Sequence, residues 1–405
     1  MTAILPFLKE LFPPSCYDRI FLVGGTVRDL LLGKESQDID LIAALSATEL
    51  TNLGFRLVEA TSGATIYFRH LPRFGKIEVT RIDSMADLGT DLLRRDFTVN
   101  AMVMNLDGVV IDPLGGEEEL KTGLLRACSD NSFSSDPLRI FRAFRFESDG
   151  WRMAPETEAL IRKYDWADKL DAMPVERFSN EMLKALADKT PERFFQRMVE
   201  FNTGGKILPE LFRMPSIPAG PLLHHPEGDL LSHSIQVLQR VATMCEDPLA
   251  RFCAFFHDLG KLATDPALYP KHHGHDNAGF ALAVAFCNRL SLPSSYRKAL
   301  AWISTLHGKA NCWDGLRDST KINMAESAVK GGIVAILPLV AAADKAGGLP
   351  MTGWAEVVRI AGMGTRELGV DQERLDAMPV RNRPSFILQK RVAAMRRAPA
   401  ETGFP

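Results

Sequence analysis

The segment "FLVGGTVRDLLLGKESQDIDLI", residues 21–42, decides the fold expected for the first part of the chain. An apolar run leads into two glycines, a short helical pattern follows, and a second apolar run carries two aspartates. Strand, glycine turn, helix and strand in this order are typical of an α/β domain. Two further strand-like segments, "RLVEATSGATIYFRHL" and "GKIEVTRI", come after it. We therefore predict an α/β head, a small mixed sheet with helices, over residues 1–125.

The pattern changes at about residue 134, after which segments with helical periodicity follow one another. A proline-rich break at 214–229 divides them. The stretch from Arg381 to Arg397 carries six basic residues and no acid. We predict three all-helical regions after the head: a neck over 126–222, a metal-binding domain over 223–348 and a basic tail over 349–405.

Composition excludes some classes of protein. The 405 residues are 46% hydrophobic with a formal net charge of −2, so a nucleic-acid partner would need a local basic patch. No apolar run reaches the roughly 18 residues of a membrane span, and we expect no membrane partner. Six widely spaced cysteines without a CxxC pair are typical of reduced thiols, which indicates a cytoplasmic protein. The sequence does not specify an oligomeric state.

Two features of the opening segment are suited to binding a nucleotide. Asp38 and Asp40 lie two apart on a predicted strand, so both carboxylates project from one face and could hold Mg²⁺. Gly24 and Gly25 allow a close approach of the backbone to a phosphate, and Arg28 adds charge. Each feature alone also occurs in ordinary turns and solvated sheet edges.

Two later motifs carry similar chemistry. In "RRDFTVNAM", residues 94–102, two arginines and an aspartate suit a triphosphate and a ribose hydroxyl. In "SDPLRIFRAFRF", residues 135–146, three arginines recur three residues apart on one broad helix face, and an aspartate lies near the helix start. The apolar residues between the arginines predict that this helix packs against the head.

Five motifs in this order resemble the class II tRNA nucleotidyltransferase family, which comprises the CCA-adding enzymes and the bacterial poly(A) polymerases. The resemblance implies transfer of nucleotides from CTP alone, or from CTP and ATP, to the 3′ end of tRNA. The motifs are "LVGGTVRDLLLG…DIDL", "RRDFTVNAM", "DPLGGEEEL", "DPLRIFRAFRF" and "VERFSNEMLKAL".

The resemblance also assigns roles to residues. Asp38 and Asp40 would hold the catalytic Mg²⁺, with Glu78 as a third carboxylate. Asp136 and Arg139 would read the base edge, since an aspartate accepts from an exocyclic amine and an arginine donates to ring acceptors. The residues that would contact the triphosphate and ribose, or support that binding, are Gly24, Gly25, Arg28, Arg95, Asp96, Arg142 and Arg145.

The segment "DSMADLGTDLL", residues 83–93, is shorter than the family pattern predicts. Complete CCA-adding members carry a flexible loop here, which is needed to switch from C to A addition. Members without this loop add only CC. We therefore favour CC addition, with full CCA addition and poly(A) synthesis as alternatives.

Eight of the nine histidines fall between residues 224 and 307. His257 and Asp258 are adjacent on a predicted apolar helix, where the pair would be costly to bury without a metal. With His233 and Asp344 they resemble the H…HD…D ligands of an HD phosphohydrolase domain. Candidates for a second metal or for phosphate contact are His272, His273, His275 and His307.

The resemblance to HD domains leaves metal and activity open. Imidazole and carboxylate ligands suit Ni, Mn, Zn, Fe or Mg²⁺. Any activity would be hydrolysis of a phosphomonoester or a 2′,3′-cyclic phosphate, and the alternative is an inactive HD fold that binds tRNA. A different class of function is a metal phosphohydrolase whose head only binds RNA. The expected tRNA contacts are the helices of 150–222 and the tail, 381–397.

Overall fold

A computed structural model describes residues 4–34, 39–58, 65–72, 75–345 and 351–397. Asp38 therefore lies outside the described residues. The chain forms two compact units, Met1–Trp166 and Ala167–Pro405, called here unit 1 and unit 2. The segment predicted as the neck, 126–222, contributes residues to both.

Unit 1 contains the predicted mixed sheet. Its seven strands lie in the order β3-β4-β5-β2-β1-β6-β7, and only the β2–β5 pair is parallel among the described neighbours. Strands β8 and β9 form a separate parallel pair. The strands are β1 Ile20–Val23, β2 Ile39–Ala43, β3 Arg56–Val58, β4 Thr65–Leu71, β5 Gly75–Arg81, β6 Val103–Met104, β7 Val110–Ile111, β8 Leu124–Leu125 and β9 Arg152–Met153.

The register of the parallel pair matters for the site. Asp40 on β2 is the partner of Glu78 on β5. Partners in adjacent strands project to the same face of a sheet. Strand β1 lies beside β2 and is buried at every position, so this part of the sheet is a rigid support.

The helices of unit 1 pack around this sheet. On α7, Ile140, Phe141 and Phe144 are fully buried, which explains why the arginine-bearing helix is held firmly. The ring of Phe146 on α7 meets that of Phe97 at 5.6 Å. The helices are α1 Ile4–Leu11, α2 Gly25–Leu31, α3 Ala47–Asn52, α4 Leu88–Leu93, α5 Gly116–Thr122, α6 Ser132–Ser135, α7 Leu138–Ser148 and α8 Pro155–Arg162.

Unit 2 is all-helical over the residues that the structure describes. The predicted fold class, an α/β head followed by helical regions, is therefore confirmed. The helices are α9 Ala167–Asp171, α10 Val175–Ala187, α11 Glu192–Glu200, α12 Pro209–Arg213, α13 Leu230–Met244, α14 Pro248–Phe256, α15 His275–Arg289, α16 Ser294–Ala310, α17 Asp318–Gly331, α18 Ile336–Asp344, α19 Trp354–Ala361, α20 Gln372–Asp376 and α21 Arg383–Arg397.

The core of unit 2 is aromatic. Phe195 on α11 stacks on Phe255 of α14 at 4.0 Å, and both rings are fully buried. Helix α14 ends at Phe256, so the predicted placement of His257 and Asp258 on the helix is wrong. His257 is the C-cap residue, and Asp258 begins the turn that leads into the 3₁₀ helix Leu259–Ala263.

The described part of the predicted basic tail contains α19, α20 and α21, and α21 packs against α17 within unit 2. Arg391 forms an ion pair with Glu326, and Arg396 lies 2.9 Å from Asp318. Two of the five basic groups of α21 are therefore paired with acids of α17.

All six cysteines are free thiols. Among the described residues, no single helix has the length and apolar character to cross a membrane. One bent pair, Asp318–Gly331 with Ile336–Asp344, meets those criteria jointly with a 114° angle between its helices.

Candidate active site and candidate metal centre

The glycine turn after β1 brings an arginine and an aspartate together. Gly24 has φ +73°, a conformation that favours glycine. A Cβ atom added there would lie 3.1 Å from Nη1 of Arg95 and 3.6 Å from Oδ2 of Asp40. A side chain at this position would therefore occupy the space between the two charged groups.

The carboxylates of β2 and β5 fit a hard cation. The backbone N–H of Asp40 donates to Oγ1 of Thr26 at 3.0 Å, which ties β2 to α2. Glu78 shares its register and lies 2.5 Å from Nζ of Lys76. Oxygen donors on one face beside an open glycine turn suit Mg²⁺. Asp38 falls outside the described residues, so its share in this site stays a prediction.

Both predicted phosphate-binding arginines are held by carboxylates. Nη2 of Arg28 lies 2.8 Å from Asp29, and its Nη1 donates to Oδ1 of Asn100 at 2.7 Å. Arg95 lies 3.1 Å from Asp91 on α4. These pairs position the guanidinium groups without a nucleotide, and a phosphate would compete with the carboxylates for them.

Asp96, the predicted ribose contact, is buried, and protein groups bind both of its oxygens. Its Oδ2 accepts from Nη2 and Nε of Arg142 at 2.7 and 2.9 Å. Its Oδ1 accepts from the N–H of Phe97 at 2.8 Å and from Asn100 at 3.1 Å. Burial raises the pKa of Asp96, but Arg142 and these donors outweigh it and lower the pKa to about 2. Asp96 thus links the "RRDFTVNAM" segment to α7.

Arg139 on α7 makes a second link to the same segment. It donates to the backbone carbonyls of Arg94 at 2.6 Å, Arg95 at 3.1 Å and Ser132 at 3.0 Å. Asp136, its predicted partner in base recognition, accepts from the N–H of Leu138 at 3.2 Å. The two residues therefore lie at the start of α7, next to the arginine segment.

The remaining arginine of α7 has another environment. The guanidinium of Arg145 lies 4.6 Å from the ring centre of Phe146, and that of Arg28 lies 5.2 Å from the same ring. Asn100, which sequence reasoning missed, accepts from Arg28 and donates to Asp96. Its position inside the "RRDFTVNAM" motif is the sequence feature that could have indicated this role.

In unit 2 the structure brings together His233, His257, Asp258 and Asp344, called here the HD quartet. Nε2 of His233 lies 3.0 Å from Oδ1 of Asp344, and Nε2 of His257 lies 3.1 Å from Oδ2 of Asp258. All four side chains are at most 8% exposed. These residues come from α13, from the turn after α14 and from the end of α18.

The quartet has the donor set of a metal centre. Nε2 of His233 and Nε2 of His257 are buried, and within the described part of the chain neither makes a hydrogen bond, because the carboxylate oxygens 3.0 and 3.1 Å away do not have hydrogen-bond geometry. Such atoms are costly unless they bind a cation or a proton. Burial lowers the pKa of His257, but Asp258 and Asp344 outweigh it and raise the pKa to about 10. The surrounding carboxylates therefore favour positive charge, and a divalent cation fits the residues present.

Glu227 orients one of these ligands and was missed by the sequence analysis. Its Oε1 lies 2.7 Å from Nδ1 of His233 and 3.0 Å from Nδ1 of His225. Nδ1 of His257 donates to the carbonyl of Ala254 at 2.8 Å. Since Nδ1 is engaged in His233 and His257, Nε2 of each ring is left to bind a metal. Glu227 lies in the histidine-rich stretch "HHPEGDLLSHS", which was the only hint of its role.

Two further polar residues contact the quartet. Nζ of Lys261 lies 2.6 Å from Oδ2 of Asp258 and donates to the carbonyl of Ala219 at 2.7 Å. Nδ2 of Asn311 donates to Oδ2 of Asp344 at 2.5 Å. Lys261 follows Asp258 by three residues, a spacing visible in the sequence, whereas nothing in the sequence marks Asn311.

The four other candidate histidines separate into two groups. His272 bonds Thr264 at 3.0 Å and the carbonyl of Pro218 at 2.7 Å, and burial lowers its pKa. His273 is exposed. His275 and His307 line the same cavity as Asp258.

Comparison with family models assigns these parts. Residues 20–71 and 67–126 match the poly A polymerase head domain, 150–214 match the probable RNA and SrmB-binding site of polymerase A, and 230–323 match the HD domain.

Solved structures share the fold. A CCA-adding enzyme with CTP aligns with a TM-score of 0.63 at 19% identity, covering 98% of this chain and 95% of that one. The Thermotoga maritima CCA-adding enzyme complexed with tRNA aligns with a TM-score of 0.60 at 20% identity, covering 93% and 91%.

Sequence relatives are closer. The multifunctional CCA protein of Methylococcus capsulatus is 33% identical over 411 residues, which cover 94% of this chain and 95% of the relative. That of Teredinibacter turnerae is 35% identical over 306 residues, covering 71% and 74%. The resemblance predicted from the motifs is confirmed: the chain belongs to the multifunctional CCA protein family of tRNA nucleotidyltransferases, with a poly A polymerase head domain and an HD domain.

Proposed function

We propose that this protein is a template-independent nucleotidyltransferase that adds two cytidines from CTP to the 3′ end of tRNA. Its relatives are named CCA proteins, and solved enzymes of the same fold bind CTP, ATP and tRNA. The CC-only specificity rests on the segment between β5 and the arginine motif.

The observation that carries this specificity is the anchoring of residues 82–93. Ile82 and Leu92 are buried in the core of the head, at 9% and 1% exposure. Met85 and Leu88 pack against the same cluster. Apolar contacts at these four positions support the proposal that the segment is not the mobile loop that A addition requires.

Polar contacts support the same conclusion. The N–H of Ser84 donates to Asp87 at 3.1 Å, and Ser84 in turn accepts from the N–H of Ala86. Asp91, near the end of the segment, holds Arg95. The segment and the arginine motif are therefore coupled through Asp91 and Arg95.

In this proposal the residues of α7 select the base. Asp136 accepts from the exocyclic amine of cytosine, and Arg139 exchanges backbone carbonyls for the ring acceptors of the base. Arg28 and Arg95 exchange their carboxylate partners for phosphate oxygens. Each exchange replaces one charge-assisted bond by another, so little electrostatic energy is lost on binding.

Asp40 and Glu78, together with Asp38, would hold Mg²⁺. When bound, Mg²⁺ would stabilise the negative charge on the attacking hydroxyl and on the leaving pyrophosphate. The tRNA would be held through its phosphates by residues 150–214, with salt-dependent affinity. We also infer a cytoplasmic location, which rests on the free cysteines.

The test is incorporation into a tRNA that lacks CCA. Radiolabelled CTP should extend it by two residues, and ATP should add little to a tRNA that already ends in CC. Efficient A addition to the CC end would support full CCA addition instead. Long tails on an arbitrary RNA would support poly(A) synthesis.

A second activity is favoured by the unpartnered Nε2 atoms of the HD quartet. We propose that a divalent cation held by the quartet supports hydrolysis of a phosphomonoester or 2′,3′-cyclic phosphate. When bound, such a cation polarises a phosphoryl oxygen. Lys261 neutralises Asp258 and lines the cavity, where it would attract the phosphate. The measurement is Ni²⁺- or Mn²⁺-dependent phosphate release, which His257→Ala should abolish.

A further inference from the structure

A buried amide in the head lies between two charged groups of the candidate active site. Asn100 is 5% exposed and is the last residue of the 3₁₀ turn Thr98–Asn100. Nη1 of Arg28 donates to its Oδ1 at 2.7 Å, and its Nδ2 donates to Oδ1 of Asp96 at 3.1 Å. The side chain therefore bridges α2 and the arginine motif.

The two neighbours of Asn100 require an amide between them. A guanidinium donates and never accepts, and an ionised carboxylate accepts and never donates. The group between Arg28 and Asp96 must therefore accept on one side and donate on the other. This requirement also fixes which end of the amide is the oxygen. An aspartate at this position would lack the donor, and a leucine of similar size would lack both groups.

The row of bonds extends beyond Asn100 in both directions. Nε and Nη2 of Arg28 donate to Oδ1 of Asp29 at 2.9 and 2.8 Å. At the other end, Asp96 accepts from Nε and Nη2 of Arg142 on α7 at 2.9 and 2.7 Å. Five side chains from α2, the arginine motif and α7 thus form one row of donors and acceptors, called here the Asn100 relay.

Helix α5 holds the turn that carries Asn100. A Cβ atom added to Gly116 would lie 2.3 Å from the carbonyl oxygen of Thr98, so the helix and the turn are in close contact. Glu119 of the same helix accepts from the hydroxyl of Thr98. Both residues of α5 belong to the motif "DPLGGEEEL", residues 112–120. This motif therefore supports the turn and limits the movement of Asn100.

The bond from Arg28 to Asn100 gains importance when a nucleotide binds. In the proposed function a phosphate replaces Asp29 as the partner of Arg28, so Asn100 is the protein contact that still holds this guanidinium. Asp96 connects Asn100 to Arg142, on the helix that selects the base. The position of the triphosphate relative to the base is therefore set through Asn100.

We propose that Asn100 is a positioning residue that couples the triphosphate-binding Arg28 to the base-selecting helix α7. This inference rests on the proposed nucleotidyl transfer and names the residue that aligns the two ends of the bound nucleotide. Asn100 acts through its neighbours. A misplacement of reacting groups by about 1 Å lowers the rate roughly 100-fold, which is the effect expected from breaking the relay.

Two substitutions break the relay in different ways. Asn100→Leu removes both bonds, whereas Asn100→Asp keeps the acceptor for Arg28 and removes the donor to Asp96. In the full-length chain at pH 8, both should lower kcat/KM for CTP incorporation into a tRNA without CCA by about 100-fold. Inhibition by inorganic triphosphate, which engages Arg28 and Arg95 without a base, should change far less.

The pH dependence separates positioning from a general loss of packing. When protonated, the new carboxyl group of Asn100→Asp accepts through its carbonyl and donates through its hydroxyl, as the amide does. Burial and the carboxylate of Asp96 raise the pKa of this group. Arg28 lowers it, but Arg28 is already paired with Asp29, as Arg142 is with Asp96. The rate of Asn100→Asp relative to the parent should therefore recover about tenfold between pH 8 and pH 6, whereas that of Asn100→Leu should not.

The matched control is Asn105→Asp. Asn105 lies in the turn between β6 and β7, where its Oδ1 accepts from the N–H groups of Asp107 and Val109. A carboxylate also accepts these bonds, so this variant should incorporate CTP like the parent at both pH values. Circular dichroism at each pH gives the folded fraction to which the rates are normalised. Asn100→Ala replaces Asn100→Leu if the latter does not fold.

Three results would contradict the inference, each in its own way. An unchanged kcat/KM in Asn100→Leu would refute the positioning role. A constant ratio of the Asn100→Asp rate to the parent rate from pH 8 to pH 6 would show that the substitution only disturbs packing. No incorporation of CTP by the parent would refute the proposed function itself, as distinct from the relay.

Discussion

The candidate sites of the two units differ in how completely their polar groups are hydrogen-bonded. In the head, Arg28, Arg95 and Asp96 each have an oppositely charged partner within the protein. In the HD domain, buried ring nitrogens and Oδ1 of Asp258 lack hydrogen-bond partners among the described residues. The three charged groups of the head are both ion-paired and hydrogen-bonded. In the HD domain Asp258 has a charged partner in Lys261, but the buried atoms named above still lack a hydrogen bond.

This difference indicates two modes of ligand binding. A nucleotide entering the head replaces existing ion pairs, so its charge groups are already oriented. A cation that binds in the HD domain provides a partner for these buried atoms. It should therefore stabilise the fold, because buried donors and acceptors without a partner destabilise it. Three predictions test the contrast, in order of decreasing effect.

The largest effect is expected from removing one carboxylate of the head. Asp40→Ala should reduce CTP incorporation about a thousandfold or more, since Mg²⁺ contributes several kcal/mol to the transition state. Phosphate release by the HD domain should stay unchanged. His257→Ala should abolish phosphate release and leave CTP incorporation unchanged.

Unchanged CTP incorporation by Asp40→Ala would show that the head site is wrongly assigned. A loss of both activities in either variant, with the fold intact, would show that the two sites do not act independently.

The next effect concerns the ion pair that joins α7 to the arginine motif. Arg142→Ala leaves the buried carboxylate of Asp96 with fewer donors, and we expect the free energy of unfolding to fall by about 3 kcal/mol. Chemical denaturation measures this fall. Arg56→Ala is the matched control, since Arg56 is exposed on β3.

The same pair makes a pH-dependent contribution. The pKa of Asp96 is lowered from 3.8 to about 2 in the folded protein. Its stabilisation is therefore present above pH 3.8 and lost as the pH falls towards 2. Arg142→Ala should lose less stability than the parent over this range, and an equal loss would argue against the pair.

The smallest of the three effects concerns Glu227, which acts on the metal centre through His233. Glu227→Gln weakens the acceptor for Nδ1, and metal affinity should fall about 10- to 100-fold. Titration calorimetry with Mn²⁺ measures the affinity, and hydrolysis at saturating Mn²⁺ should recover. Glu246→Gln, at an exposed position, should change neither quantity. A failure of excess metal to restore hydrolysis would assign Glu227 a direct part in catalysis.

Patterns of local sequence predicted much of the fold. The β1–α2–β2 unit follows from alternating apolar runs around Gly24 and Gly25, and α7 from the spacing of its arginines and phenylalanines. The HD quartet was predicted as a set because its order along the chain resembles the H…HD…D pattern of HD domains, although its members span more than a hundred positions.

Contacts that depend on packing could not be predicted in this way. The pair of Asp96 and Arg142 forms only when α7 meets the arginine motif. The sequence placed His257 and Asp258 on a helix because the apolar run continues, but the chain turns there, and Gly260 then packs against α15. The contacts of Asp258 with His257 and Lys261 follow from that turn.

The anchoring of residues 82–93 has a thermodynamic consequence for nucleotide binding. A flexible loop that orders around a nucleotide loses roughly 1–2 kcal/mol of backbone entropy per residue at the moment of binding. Here that loss occurs once, during folding, because Ile82 and Leu92 are fixed in the core. CTP binding should therefore show a small conformational-entropy penalty and a modest heat-capacity change.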